Sequence, residues 1–112
     1  MPKPAFPHSC PKTTLQDLVK HLSEAAGVNP ALPECIAAHE SQWNPLQVGD
    51  IGNRNGESYG LFQIEIKQHP DVTEADAFDP QFATEWMLKE IKAGRIDEWT
   101  TYLEYCLNIP IK

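Results

Sequence analysis

Residues 35–64 read CIAAHESQWNPLQVGDIGNRNGESYGLFQI, and the division of this stretch into helix and strands decides the fold. Cys35, Ile36, His39, Glu40 and Trp43 recur at i, i+3/i+4 spacing, which puts a carboxylic acid on the stripe of a helix that packs inward. Asn44-Pro45 follows. Proline disfavours helical geometry in the residue before it and lacks an N–H, so the helix is expected to stop there with Glu40 in its last turn. The second half is rich in turns. Asn55-Gly56 is a two-residue hairpin signal between segments short enough for two or three small strands, and Gly49, Gly52 and Gly60 suit sharp turns or the close approach of a ligand.

The position of Glu40 has chemical consequences. The partial negative charge of a helix end and removal from water both oppose ionisation, and a carboxyl kept protonated serves as a general acid. A protonated acid facing a polar, strand-built wall that carries Asp50, Glu57 and Gln63 is the layout that glycoside cleavage requires. The plainer alternative is a helical glutamate whose head reaches solvent. Glu57 and Ser58 are adjacent, so while the strand persists only one of them looks toward Glu40. Plainer roles also compete elsewhere: a turn residue for Asp50, a buried amide tie for Gln63, a hydrogen bond within the helix end for Ser41, and a solvent-facing or capping place for His69.

Working outward, residues 1–12 carry four prolines and read as an extended arm, leaving 13–112 as one domain. Thr14 is a candidate N-cap, with Asp17 three residues on, for a helix whose inward face is Leu15, Leu18, Val19, Leu22, Ala25 and Ala26 and which ends at Gly27. Asn29-Pro30 opens the central helix, and Asp79-Pro80 opens another with Phe82, Ala83, Trp86, Met87 and Ile91 on one face. Between them, residues 65–78 read as a loop with at most a turn or two of helix. A last helix, capped near Asp97, is expected to bring Trp99, Tyr102, Leu103 and Cys106 onto one side. The fold class is α+β, mainly helical, with a small β-hairpin region lining a cleft.

The net charge of −7, from nine basic and sixteen acidic residues without a Lys/Arg cluster, argues against nucleic acid as a partner. An anionic polymer would have to be recognised by groove shape and hydrogen bonds rather than drawn in by charge. No apolar run is long enough to span a bilayer, so membrane insertion is not expected. The N-terminus lacks the apolar core of a secretory signal, which implies either that a signal has been removed or that the protein leaves its cell by another route such as lysis. No metal or other cofactor is expected: His39-Glu40 begins like H-E-x-x-H but Trp43 stands at the second histidine position, and His8-Ser9-Cys10 lacks a second ligand pair. Three cysteines imply one pair and a spare in an oxidising compartment, with Cys35 and Cys106 the candidate pair and Cys10 left open as a partner; in a reducing cytosol all three would be free thiols. Cys35 as a nucleophile paired with His39 lacks an orienting third group.

Taken together, Glu40-Ser41, Asn44-Pro45, Gly49-Asp50, Ser58-Tyr59-Gly60-Leu61-Phe62-Gln63-Ile64 and His69-Pro70 resemble the lysozyme-like superfamily, specifically goose-type lysozymes and the catalytic domain of soluble lytic transglycosylases. The resemblance implies that 13–112 is a lysozyme-like catalytic domain cutting the β-1,4 bond between N-acetylmuramic acid and N-acetylglucosamine in the glycan strands of peptidoglycan. Glu40 would be the general acid and Asp50 an aspartate that positions water. Ser41 and Gln63 would hydrogen-bond sugar at the groove, with Ser58 beside them and Tyr59 in the wall, and Glu65 and His69 match acidic and histidine positions near the substrate. Such proteins are secreted, wall-associated or released by lysis.

Two departures from the family pattern matter. Ser58 stands where chicken-type lysozymes carry a second carboxylate, which speaks against a covalent retaining mechanism. The Ala-Tyr-Asn motif of the transglycosylases is missing, and Tyr102 and Tyr105 are the candidate substitutes. The ending EWTTYLEYC is similar to the final Trp-containing helix and cysteine of chicken-type enzymes, which supports the Cys35–Cys106 pairing. The resemblance leaves hydrolysis and 1,6-anhydro product formation both open, and a non-catalytic glycan-binding or structural domain is the alternative from another class.

Overall fold

The computed structural model describes residues 12–49, 51 and 56–112. Asp50, Asn55 and Cys10 lie outside the described residues, as does nearly all of the expected N-terminal arm with its His8-Ser9-Cys10. The order of elements is α1 (Lys12–Ala26), α2 (Ala31–Ser41), β1 (Val48–Gly49), β2 (Ser58–Tyr59), β3 (Ile64–Glu65), α3 (Glu74–Phe78) and α4 (Pro80–Lys92). A 3₁₀ turn at Ile96–Glu98 and a π-helical segment at Tyr102–Cys106 close the chain. The three strands form one antiparallel sheet in the order β1-β2-β3, with Gly49 opposite Ser58 and Ser58 opposite Glu65. The expected α+β class, mainly helical with a small sheet, is the one observed.

Helix starts follow local hydrogen bonding. Asn29 Oδ1 accepts from the Ala31 N–H ahead of α2, and Asp79 accepts from Gln81 and Phe82 at the start of α4, so both Asx-Pro pairs open helices as the sequence implies. Thr73 and Asp76 form a reciprocal capping box on the one-turn α3. Thr14, in contrast, lies inside α1, which is already helical at Lys12. Gly27, at φ +75°, ends α1 in the left-handed conformation open to glycine.

The end of α2 differs from expectation in its cause. Helical geometry stops at Ser41 because Gln42 and Trp43 both turn left-handed, at φ 52° and 65°. Their N–H groups close the helix on Ala38 and Ala37, two residues before Pro45 has any influence. Left-handed geometry is costly for a bulky side chain, and the burial of Trp43 in the core offsets that cost. Glu40 is in the last turn, as the sequence indicates.

The inward stripe of α2 is narrower than its spacing implies. Ile36 is fully buried, but His39 is exposed and stacks its ring on Tyr105 at 4.2 Å. The closing segment also departs from a regular helix: the wider π turn keeps Tyr102 and Cys106 inside while Leu103 is half-exposed.

The core joins Leu15 and Val19 of α1, Leu32 and Ile36 of α2, and Ala83, Met87 and Ile91 of α4 to Leu61, Phe62 and Ile64 between and on the strands. The GLFQI sequence is thus a hydrophobic plug beneath the sheet, with Gln63 turned out of it at φ 52°. Gly60, at φ +83°, must be glycine: a Cβ there would collide with the carbonyl of Ala77, which packs directly on the turn. Cys35 of α2 and Cys106 of the closing segment are joined by a disulfide, Cα to Cα 6.0 Å.

Candidate active site

A cleft of about 570 Å³ opens where the end of α2, the sheet, the segment after β3 and residues 99–101 meet. Glu40 is half-buried in its wall, and Glu40 Oε1 accepts a 2.7 Å hydrogen bond from the Thr101 hydroxyl. The donor comes from the last part of the chain, but from Thr101 rather than from the tyrosines that the sequence put forward. Tyr102 is buried, and Tyr105 covers His39.

From the sheet, Gly49, Ser58, Gln63 and Glu65 line the cleft. Strand alternation resolves the choice between Glu57 and Ser58: the serine lines the cavity, itself buried at its floor. Tyr59 is therefore turned to the other face, edge-on to Phe78 of α3 at 5.6 Å, and does not line this cleft, contrary to its expected place in the wall. Burial raises the Tyr59 phenol above its ordinary pKa, and the hydrogen bond with Glu74 and the charges of Glu57 and Glu74 act in the same direction.

Gln63 combines the two roles considered for it. Its amide nitrogen donates to Gln47 O (3.0 Å) and Gly60 O (2.8 Å), which ties the turn to the strand approach, and the side chain still borders the cleft. The amide oxygen occupies the space that a Cβ on Gly49 would need. Gly49→Ala is accordingly expected to displace the Gln63 amide from both carbonyls and to lower stability by about 1–3 kcal/mol. A thermal or denaturant melt checks this, and a wild-type melt would show that the amide has room to yield.

Ser41 is not at the groove. It is buried at 5% exposure, its hydroxyl donating to Leu61 O at 2.7 Å with Ala37 O at 3.1 Å, and so it pins the end of α2 to the hydrophobic plug. An inward stripe position next to Glu40 leaves it no path to solvent. His69 is half-buried rather than solvent-facing: it borders the cleft, meets Trp86 edge-on at 4.9 Å, and lies nearly parallel to Trp99 at 6.1 Å. Gln68, Trp99, Thr100 and Thr101 also line the cleft and are absent from the sequence-derived site. A signal for Thr101 existed. Glu40 follows Cys35 by five residues and Thr101 precedes Cys106 by five, so the bridge sets two antiparallel segments in the register that joins them.

Asp50 lies outside the described residues. Among the described residues, the carboxylates lining the cleft are Glu40 and Glu65, and no group of three or more His, Cys, Asp or Glu side chains is placed to hold a metal ion. No described helix is long and apolar enough to cross a membrane.

A mainly helical domain whose small antiparallel sheet faces a helix-end glutamate across a polar cleft is lysozyme-like in architecture. The chain belongs to the lysozyme-like domain family, whose model matches residues 20–101. Comparison with curated proteins and with solved structures gives no match.

Proposed function

We propose that this domain cleaves the β-1,4 bond between N-acetylmuramic acid and N-acetylglucosamine in peptidoglycan, with Glu40 as the general acid. The observation that carries the reading is a half-buried glutamate in the last turn of α2, one carboxyl oxygen engaged by a hydroxyl, in a polar cleft of about 570 Å³. Family membership supports the substrate class.

In this reading, glycan lies along the sheet, over the floor that Ser58 helps to form and past the Gln63 amide, and Glu65 and His69 border its path. Glu40 transfers its proton to the glycosidic oxygen as the bond to the sugar carbon breaks, and oxocarbenium-like charge develops on the ring. Glu40 is left as a carboxylate. It then takes a proton from the attacking group as the new bond forms, or a second carboxylate does so in an inverting hydrolysis.

Two nucleophiles complete the balance. Water, positioned by Asp50, gives a reducing sugar; the 6-hydroxyl of the muramic acid residue gives a 1,6-anhydro ring and needs no second carboxylate. The domain would meet its substrate in the wall, after secretion or release by lysis.

Mass spectrometry of fragments released from purified peptidoglycan tests the reading. The expected fragments end in N-acetylmuramic acid, in either the reducing or the anhydro form; the anhydro form is lighter by one water. Release of no fragment, with retained binding to the wall material, would make this a glycan-binding module instead.

A further inference from the structure

The hydrogen bond to Glu40 reaches across 61 positions of sequence and comes from a residue to which the family resemblance gives no role. Resting on Glu40 as the acid, we propose that Thr101 is a positioning residue for the proton transfer. Its hydroxyl holds Oε1, so the transferable proton is carried on Oε2, and it stabilises the carboxylate left when that proton goes.

The chemistry follows from the bond's direction. A hydroxyl donating to Oε1 suits a carboxyl whose Oε1 is the carbonyl oxygen, which leaves Oε2 to carry hydrogen. The same bond strengthens when Glu40 ionises, because a donor to a charged acceptor is worth roughly twice one to a neutral acceptor. The interaction is therefore greater after the proton has left than before, which is the condition for accelerating a step rather than merely binding.

The segment is built to keep the donor in place. Thr101 directly precedes Tyr102, which is buried, and Cys106 ties the segment to Cys35 on the helix that carries Glu40. The two residues thus sit on elements clamped in a fixed register.

Among the described residues, other ionisable groups stand near the acid. Glu65 from β3 and His69 from the following segment line the same cleft, His39 on α2 itself is exposed against Tyr105, and Glu104 on the closing segment is exposed.

The test uses Thr101→Val, which keeps the shape, and Thr101→Ser, which keeps the donor, each assayed for kcat and KM on peptidoglycan fragments across pH. Thr101→Val is expected to lower kcat about three- to tenfold with KM nearly unchanged, because only the difference between a hydrogen bond to a charged and to a neutral acceptor acts on the step. Because the ionised form loses a donor, the alkaline limb of the rate profile should move to higher pH. Thr101→Ser should restore both. A carbon-13 NMR titration of the Glu40 carboxyl, read in the same variants, should show a raised midpoint for valine alone. Wild-type kcat and an unmoved midpoint in Thr101→Val would overturn this inference while leaving the glycosidase reading intact. A wild type that releases no fragments would overturn both.

Discussion

Glu40→Gln is expected to slow clearing of purified cell walls by about 10²–10⁴-fold, the contribution typical of a positioned general acid. The substitution is nearly isosteric and exchanges the acidic hydroxyl for an amide NH2 that does not act as an acid. The amide oxygen still accepts from Thr101, whose hydroxyl lies 2.7 Å from the carboxyl, so that contact is kept. Stability should accordingly stay within about 0.5 kcal/mol of wild type, as for other substitutions that bury nothing new. The two readouts together separate chemistry from folding. Slow clearing with an unchanged melt assigns the loss to the proton, whereas equal clearing by both proteins removes Glu40 as the acid.

Replacing both bridging cysteines, Cys35→Ala with Cys106→Ala, is expected to cost several kcal/mol of stability. The bridge closes a loop between residues 71 positions apart, and loop-closure entropy for that length corresponds to about 4 kcal/mol. For a domain of this size that is a fall in Tm of roughly 15–25 °C. Cys106 is fully buried beside α2, so alanine also leaves a small void that adds to the loss. Activity should fall before the fold does, because the freed segment carries Trp99, Thr100 and Thr101 of the cleft wall. A melt within a few degrees of wild type would show that packing of Tyr102 and its neighbours holds the segment without the bridge.

Much of the helical frame was legible because α2 and α4 each have a capping pair at the start and an apolar face, whereas α1 is already helical before the Thr14 expected to cap it. Asn29-Pro30 and Asp79-Pro80 are capping signals with a mechanism. The helix end at Gln42-Trp43 was not legible. Left-handed geometry in glutamine and tryptophan has no local propensity behind it and is imposed by the fit of Trp43 into the core. For the same reason the π turn at Tyr102–Cys106 does not follow from helical spacing, and Leu103 faces outward where that spacing predicts the inner side.

The site divides along similar lines. Glu40, Ser58, Gln63, Glu65 and His69 come together in the cleft because they follow one another through a helix end and a hairpin, which sequence order itself brings close. Ser41 and Tyr59 fail to reach it because orientation on a helix or strand, not proximity in sequence, decides what a side chain faces. Trp99, Thr100 and Thr101 enter from the far end of the chain through a tertiary contact. Only the spacing of the two bridging cysteines about Glu40 and Thr101 foreshadowed it.

The most direct measurement is the mass of the fragments that wild type and Glu40→Gln release from the same purified peptidoglycan. The expected result is fragments ending in reducing or anhydro N-acetylmuramic acid from wild type and none above background from the variant. Matching fragments in matching yield from the two proteins would contradict proton donation by Glu40.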